Sequence, residues 1–286
     1  MEKMKENRAL SFLIIAAVYV IAGMVGVFTY RAIDLSWPIA LLIADIVATV
    51  VVFIFSIIFS NASVYDPYWS VQPPFIMAAF MIGKGNITLF AALVFFVVLF
   101  WGIRLTANWA YTFSSLEHQD WRYTMLAEKS GKMYPIINFT GIHMVPTLVV
   151  YACVIPAVFA VNRDFKINFL SVVFLFVSLC AAVMQGIADL QMHKFRKNRN
   201  GNFIRNGLWK YSRHPNYLGE ILMWWGVGFA VFFADISAWY LLVGALLNTF
   251  LFLFVSIPLA EKRQSKKEGY EEYKKQTRIL IPLKKI

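Results

Sequence analysis

The stretch YSRHPNYLGE at 211–220 runs directly into the apolar run ILMWWGVGFAVFF at 221–233. Charged and polar side chains therefore lie at the N-terminal end of a segment that is apolar enough for a membrane core, where an unpaired charge is costly. Pro215 suits the first turn of a helix, because the N–H that it lacks would have no intrahelical partner there. The boundary predicts a helix that begins near Pro215, with Ser212 or His214 as its cap.

The whole chain has the composition of a membrane protein. Its 286 residues are 59% hydrophobic and only 15% charged. An apolar run of about 18 residues or more is long enough to cross a hydrocarbon core of ~30 Å. We therefore predict an all-α, polytopic transmembrane helical bundle of about seven or eight segments, at about 10–30, 37–60, 87–110, 136–161, 168–190, 216–234 and 237–259, with a shorter run at 73–83.

The net charge of +11 is unevenly distributed along the chain. Most Lys and Arg residues fall in the N-terminal tail, the loop at 111–135, the segment 191–216 and the tail after 260, and such an excess marks the cytoplasmic side. We predict a cytosolic C-terminal tail that is helical to about Gln276. The N-terminus is cytosolic with eight crossings and external with seven, and the charge pattern allows both.

The cysteine and histidine positions indicate neither a disulfide nor a metal site. Cys153 and Cys180 lie inside apolar runs, and the four histidines show no HxxH or HExxH pattern. The sequence contains no GxGxxG or P-loop motif, so a nucleotide would have to be bound by a different arrangement of residues. The basic charge does not indicate nucleic acid, because no soluble domain is present to carry a binding groove.

Ionisable residues inside predicted membrane segments are expected to have a function or a partner. One interpretation is that Asp45 and Arg104 pair and lock two helices together. We expect His143 to form a hydrogen bond between helices. The full set comprises Asp45, Arg104, Asp189 and Glu220, accompanied by the uncharged Asn108, His143 and Gln185.

The start of the helix near Pro215 combines several features of a binding site. Arg213 stands where its guanidinium would bind a phosphate through two hydrogen bonds. Asn216 and Glu220 are four residues apart, so they share a helix face, and together they suit a carboxamide, which donates and accepts hydrogen bonds. We predict a polar pocket with a basic rim that takes a dinucleotide phosphate and its nicotinamide. An adenosyl methyl donor fits nearly as well.

The motifs RNGLWKYSRHPNYLGE at 205–220 and EKRQSKKEGYEEYKKQTRILIP at 261–282 resemble the C-terminal domain of the steroid 5α-reductase superfamily, especially its uncharacterised bacterial branch. DLQMHKFR, GLW and RHPNYLGE are more distantly similar to sterol Δ14/Δ7 reductases. The resemblance divides the chain into N-terminal transmembrane helices at 1–60 and a reductase-like domain at 61–286, and it is most specific at 186–286. DPYWSVQPP (66–74), IRLTANW (103–109) and DWRY (120–123) also resemble that branch.

The resemblance implies NADPH as cofactor and hydride transfer to a C=C bond of a lipophilic substrate. It implies cofactor contacts at Arg196, Leu208, Trp209, Asn216, Tyr217, Glu220 and Glu261. The basic rim and the helix start add Asp189, Lys194, Arg213, His214 and Arg263 to the predicted cofactor site. The positions of the family's catalytic Glu and Tyr match Asp66 and Trp101, and a tryptophan cannot donate as a phenol does. Asp66, with Tyr65 or Tyr68 beside it, and Glu220 are therefore the candidate catalytic residues, with Tyr68 as the preferred tyrosine; the alternative for Asp66 is a turn or a helix cap.

Three functions remain open from the sequence. The first is an NADPH-dependent reductase of an enone or alkene, and the second is an S-adenosylmethionine-dependent enzyme similar to isoprenylcysteine methyltransferases. The third is a non-catalytic membrane protein that keeps the fold. The expected partners are a lipophilic small molecule and the lipid bilayer, with neither metal nor nucleic acid, and the expected location is a bacterial cytoplasmic membrane.

Overall fold

The computed structural model describes residues 5–198 and 202–282, and this part of the chain is helical throughout apart from short connections. A single parallel bridge between Ser212 and Arg278 is the strand-like pairing within these ranges. The predicted all-α fold is thus confirmed. The α-helices are α1 (Arg8–Ala32), α2 (Trp37–Ile58), α3 (Tyr68–Lys84), α4 (Leu89–Thr112), α5 (Trp121–Ser130), α6 (Tyr134–Ile137), α7 (Val145–Asn162), α8 (Phe169–Asn198), α9 (Pro215–Ala234), α10 (Val243–Leu251), α11 (Ile257–Gln264) and α12 (Tyr270–Gln276).

Seven helical stretches in the described ranges are long and apolar enough to cross a membrane. They match the seven long apolar runs that the sequence predicts. The shorter run at 73–83 lies within α3, which has 17 residues and is not one of the seven. The stretches are Arg8–Ala32, Trp37–Ile58, Leu89–Thr112, Trp121–Asn162, Phe169–Asn198, Pro215–Ala234 and Ile236–Gln264.

The chain divides into two compact units. The N-terminal unit comprises Met1–Phe75 and Leu105–Tyr151, and the C-terminal unit comprises Ile76–Arg104 and Ala152–Ile286. The boundary drawn from the sequence at residue 60 is a different division, because it follows the extent of a motif resemblance and not the packing of helices.

Buried polar groups link the helices of the N-terminal unit. The hydroxyl of Thr147 lies 2.8 Å from that of Tyr65 and 3.1 Å from that of Thr49. Asp45 accepts a hydrogen bond from the amide of Gln72 on α3. The interpretation that Asp45 and Arg104 pair is therefore wrong: the Asp45 carboxylate takes an amide partner, and Arg104 binds the carboxylate of Asp189.

His143 lies in a π-helical turn, Asn138–Met144, between α6 and α7. Its Nδ1 is 3.0 Å from the carbonyl oxygen of Asn138, so the hydrogen bond is local and the expected bond to another helix is wrong. The π turn, whose backbone bonds join residues five apart, holds this side chain beside the carbonyl of a residue five positions earlier.

The C-terminal unit is organised by the close approach of α8 and α9. A Cβ at Gly219 would lie 2.8 Å from the carbonyl oxygen of Ala181, and one at Gly226 would lie 2.8 Å from that of Phe174. These glycines are seven residues apart, or two helical turns, so both lie on the face toward α8. Small residues at such positions let two helix backbones approach closely in a membrane. This approach places the polar side chains of both helices in one layer.

Gly226→Ala is expected to lower the free energy of unfolding by about 1–3 kcal/mol, because the added methyl would lie 2.1 Å from the hydroxyl of Ser178, which is bonded to the carbonyl of Met223, and 2.8 Å from the backbone carbonyl oxygen of Phe174. Gly228→Ala is the matched control, since the nearest atom to its new Cβ is the end of the Leu242 side chain, at 3.1 Å. Chemical unfolding in detergent micelles checks both variants. Equal stability of the two would contradict the proposed close contact.

Candidate functional site

Glu220 lies at the centre of a polar cluster in the C-terminal unit, and its side chain is 2% exposed. Its Oε2 accepts hydrogen bonds from the indole Nε1 of Trp101 and from the amide Nε2 of Gln185, both at 2.8 Å. Its Oε1 accepts a third from Nε1 of Trp224 at 2.9 Å. Three N–H donors from α4, α8 and α9 therefore fix the carboxylate, and Glu220 in turn fixes the two indoles and Gln185.

One helical turn away, an ion pair continues the cluster. Nη1 of Arg104 lies 2.8 Å from Oδ2 of Asp189, and both side chains are 13% exposed. Nδ2 of Asn216 donates to Oδ1 of Asp189 at 3.3 Å. Asn216 and Glu220 share one face of α9, as their spacing predicts, and Gln185 and Asp189 share the facing side of α8 with the same spacing.

Several polar atoms of this cluster are buried and make no hydrogen bond within the described ranges. They are the donors Nε and Nη2 of Arg104 and the acceptors Oδ1 of Asn216 and Oε1 of Gln185. Leaving such groups unsatisfied costs about 1–3 kcal/mol each, so a native protein normally provides partners for them. A ligand that offers both an acceptor and an N–H donor, such as a carboxamide, would satisfy them.

Arg213 does not present its guanidinium to a ligand as the sequence suggests. Nε and Nη2 bind the two carboxylate oxygens of Glu261 at 2.9 and 3.2 Å, and Nη1 donates to the carbonyl of Thr277. Nε2 of His214 lies 2.8 Å from Oε1 of the same carboxylate, and the hydroxyl of Tyr270 donates to it at 2.9 Å. A predicted anion site is thus an internal clamp in which Glu261 takes the place of the phosphate.

This clamp fixes the C-terminal segment against the start of α9. His214 occupies the cap position of α9 but makes no capping side-chain bond, because its ring binds Glu261. The Tyr273 hydroxyl donates to the carbonyl of Trp209. Burial raises the pKa of Tyr273 well above its ordinary value, so the phenol keeps the proton that it donates.

Leu208, Trp209 and Tyr217 belong to the packing around the helix start. The backbone N–H of Leu208 donates to Oε1 of Gln191 at 2.9 Å, and Nε1 of Trp209 donates to the carbonyl of Ala188 at 3.1 Å. The Tyr217 ring stacks on that of His214 with a centroid distance of 5.2 Å. The backbone around Trp209 is thereby held against the C-terminal half of α8.

A cavity of about 760 Å³ opens beside the end of α8. Seven of its eleven lining residues are polar or charged, and one of them is Lys194, which the sequence places in the cofactor site. Burial lowers the pKa of Lys267, and the neighbouring cations Arg263 and Arg196 lower it further. Arg196 and Arg263 are exposed, and both lie near Lys267. These three cations make this end of the unit a basic surface that favours an anion.

Asp66 and Tyr68 lie in the N-terminal unit, just before and at the start of α3. Oδ1 of the half-buried Asp66 accepts a hydrogen bond from the Tyr123 hydroxyl at 2.6 Å. Tyr68 is buried, and its ring packs against those of Tyr65 and Tyr19. Burial raises the pKa of Asp66 from 3.8 to about 6, although Arg122 and the bond from Tyr123 act in the opposite direction.

The raised pKa of Asp66 gives a pH-dependent stability. Between about pH 4 and pH 6 the folded chain keeps a proton that the unfolded chain has released, so this residue's contribution to stability falls as the pH rises and then stays low. Asp66→Asn keeps an acceptor for Tyr123 but has no proton to lose. From pH 4 to pH 7 its free energy of unfolding should therefore rise by roughly 2–3 kcal/mol relative to that of the wild type. Unfolding at both pH values, with the exposed Asp34→Asn as control, measures this gain; an equal gain in both variants would contradict it.

Trp101 and Trp224 are members of the cluster around Glu220 that the sequence did not assign to a site. The sequence marks Trp101 as a departure from a tyrosine, whereas its indole N–H donates to Glu220. The bond from Trp224 to Glu220 could have been predicted, because the two residues are four apart on one helix and such side chains are neighbours. The contact from Trp101 spans 119 positions along the chain, and no local pattern indicates it.

Within residues 5–198 and 202–282, no group of three or more His, Cys, Asp or Glu side chains is arranged to hold a metal ion. Cys153 and Cys180 are free thiols. The seven apolar helical stretches and the buried polar cluster define a polytopic helical membrane protein with a polar site in its C-terminal unit. Residues 52–277 match the family described as Protein of unknown function (DUF1295), and the chain belongs to that family. No curated protein and no solved structure matches the chain.

Proposed function

We propose that this protein is a membrane-embedded, NADPH-dependent reductase of a C=C bond in a lipophilic substrate. The observation that carries the proposal is the set of unsatisfied buried atoms around Glu220 and Asp189. These atoms comprise two donors of Arg104 and one acceptor each of Asn216 and Gln185. A nicotinamide carboxamide supplies the complementary groups: its carbonyl accepts from Arg104, and its amide N–H donates to Asn216 or Gln185.

The basic surface at the end of α8 supports a phosphorylated dinucleotide. Burial lowers the pKa of Lys267, the nearby cations Arg263 and Arg196 lower it further, and a bound phosphate would relieve the repulsion that these two cations exert on the lysine. Along α8, about 20 Å separate Gln185 from Asn198, which lines the cavity at that end. A ligand with a carboxamide at one end and phosphates toward the other suits this length.

When bound, the cofactor supplies a hydride, and the residues of this chain bind and orient it. Glu220 holds the amide of Gln185 in place, and Asp189 does the same for Asn216. The burial of the cluster excludes water from the nicotinamide end, which strengthens each of these polar contacts. Asp66, with Tyr68 beside it, is the proposed proton donor, since its raised pKa leaves part of the carboxyl protonated near neutral pH.

NADPH is expected to stabilise the purified protein thermally, whereas S-adenosylmethionine is not. At a concentration of 100 times the dissociation constant, a ligand that binds only the folded state adds about 2.7 kcal/mol of stability. Asn216→Ala is expected to remove most of the NADPH effect, because it removes one of the unsatisfied acceptors. Melting curves of the wild type and the variant, with each ligand and without, make the measurement.

Asn248→Ala is the matched control, because Asn248 is a buried asparagine of the same unit and lies on α10, a helix that carries none of the cluster residues Arg104, Gln185, Asp189, Asn216 and Glu220. It is expected to retain the NADPH effect. Stabilisation by S-adenosylmethionine alone would replace the reductase proposal with the methyltransferase-like one. A melting curve that neither ligand shifts would favour a non-catalytic protein.

A further inference from the structure

A second cavity, of about 550 Å³, lies at the C-terminal segment. Its lining combines cations with two isoleucines and includes a single carboxylate, that of Glu271. It shares no lining residue with the cavity at the end of α8. The cationic and apolar residues of this lining are Arg213, Lys274, Lys275, Arg278, Ile279 and Ile281.

The backbone that carries this cavity is fixed and is not a loose basic tail. The N–H of Arg213 donates to the carbonyl of Arg278 at 3.0 Å, and the N–H of His214 donates to that of Ile279 at 3.2 Å. The hydroxyl of Ser212 donates to the same Ile279 carbonyl at 3.2 Å. The segment is therefore held in an extended form along the residues that precede α9, and its side chains stand at set positions.

The charges around the cavity are not balanced. Arg213 is neutralised by Glu261, and Lys274 and Lys275 lie 3.1 and 3.7 Å from Glu271 and Glu272. In contrast, Arg278 has no carboxylate within ion-pair distance among residues 5–198 and 202–282, and its Nε is buried without a hydrogen-bond partner. A buried guanidinium N–H without an acceptor calls for an anion with oxygen acceptors.

The apolar part of the lining indicates which kind of molecule carries this anionic group. Ile279 and Ile281 are 42% and 57% exposed directly beside the cations. The segment follows shortly after the last membrane-crossing stretch, which ends at Gln264, so it lies near a membrane surface. Cations beside exposed aliphatic side chains at that depth match a phosphate headgroup and its adjoining acyl chain.

We propose that this cavity is a binding site for the phosphate group of an anionic phospholipid, with Arg278 as its principal ligand. The guanidinium of Arg278 binds the phosphate oxygens, Lys274 and Lys275 line the cavity beside it with their charges paired to Glu271 and Glu272, and the two isoleucines contact the lipid chain. The site is independent of the proposed cofactor site, because none of its residues belongs to the cluster around Glu220.

The test compares thermal stability in nanodiscs of phosphatidylcholine alone and in nanodiscs with 30 mole per cent phosphatidylglycerol, a composition on the order of that of anionic leaflets. The wild type is expected to melt higher with phosphatidylglycerol, and Arg278→Gln is expected to lose most of that difference. Lys275→Gln, which changes an exposed lysine, should lose a smaller part and provides a second variant if Arg278→Gln folds poorly. Arg163→Gln, at the connection between α7 and α8, is the matched control and should keep the full difference.

Two outcomes would overturn the proposal. One is an equal preference for phosphatidylglycerol in the wild type and in both site variants, and the other is the absence of any preference in the wild type. If inorganic phosphate in phosphatidylcholine nanodiscs stabilises the wild type as much as phosphatidylglycerol does, the ligand is a free phosphate and the lipid assignment fails. The NADPH-induced shift, measured in the same samples, is expected to persist in Arg278→Gln, so failure of the lipid site and failure of the reductase proposal are distinguishable.

Discussion

Glu261→Ala is expected to lower the free energy of unfolding by about 3–5 kcal/mol, the usual cost of removing one partner from a buried ion pair. The Arg213 side chain is 6% exposed and would keep its charge without a carboxylate. Hydrogen bonds from His214 and Tyr270 to Glu261 would be lost at the same time. The loss of this clamp should release the segment around α12, so proteolysis after residue 264 should become faster.

Glu271→Ala is the control for this prediction. Glu271 lies in the same part of the chain and also binds a cation, Lys274, but the Glu271 side chain is 64% exposed and that of Lys274 is 32% exposed, against 14% for Glu261 and 6% for Arg213. Exposed pairs contribute at most about 1 kcal/mol, so this variant should remain close to the wild type. Chemical unfolding and limited proteolysis measure both effects. If Glu261→Ala and Glu271→Ala were equally stable, the clamp would not hold the C-terminal segment.

Arg104→Met is the second substitution with a large expected effect, because it leaves Asp189 buried without its cation. We expect a loss of about 3–5 kcal/mol of stability for the same reason. It also removes the two unsatisfied donors, so NADPH affinity should fall by about 10- to 100-fold, the value of one or two hydrogen bonds to a charged group.

Arg104→Lys separates these two effects. A lysine keeps the charge beside Asp189 but lacks the Nε and Nη2 donors of the guanidinium. Its stability should therefore stay closer to the wild type than that of Arg104→Met, while its NADPH affinity should fall by a comparable factor. Unfolding curves and NADPH fluorescence titrations of the three proteins provide the comparison. A lysine variant that binds NADPH like the wild type would show that the guanidinium donors do not contact the cofactor.

The helices could be predicted from the sequence because a membrane core allows few alternatives. Backbone groups that leave water must be satisfied within the segment, so each long apolar run becomes a helix. The shared face of Asn216 and Glu220 follows in the same way from their spacing. Both inferences need only local geometry, and the structure confirms the helices and that shared face.

The partners of buried polar groups could not be predicted in this way. Arg104 binds Asp189, which lies 85 positions away, and not Asp45, because the choice depends on which helices pack together. The sequence around Arg213 is the same whether its guanidinium binds a phosphate or an internal carboxylate. Its actual partner, Glu261, is 48 positions away, so no local pattern indicates the pair. The donor role of Trp101 depends likewise on which helices pack together, because its acceptor Glu220 lies 119 positions further along the chain.

The central claim is that the cluster of Arg104, Gln185 and Asn216 recognises a carboxamide, and one comparison of affinities tests it most directly. NADPH and its reduced 3-acetylpyridine analogue differ in that the acetyl group keeps the carbonyl but lacks the N–H donors. The wild type should bind NADPH about 10- to 100-fold more tightly than the analogue, since the analogue leaves a buried acceptor unpaired. In Asn216→Ala and Gln185→Leu this preference should shrink to a few-fold or less. Equal affinity of the wild type for both compounds would contradict the account.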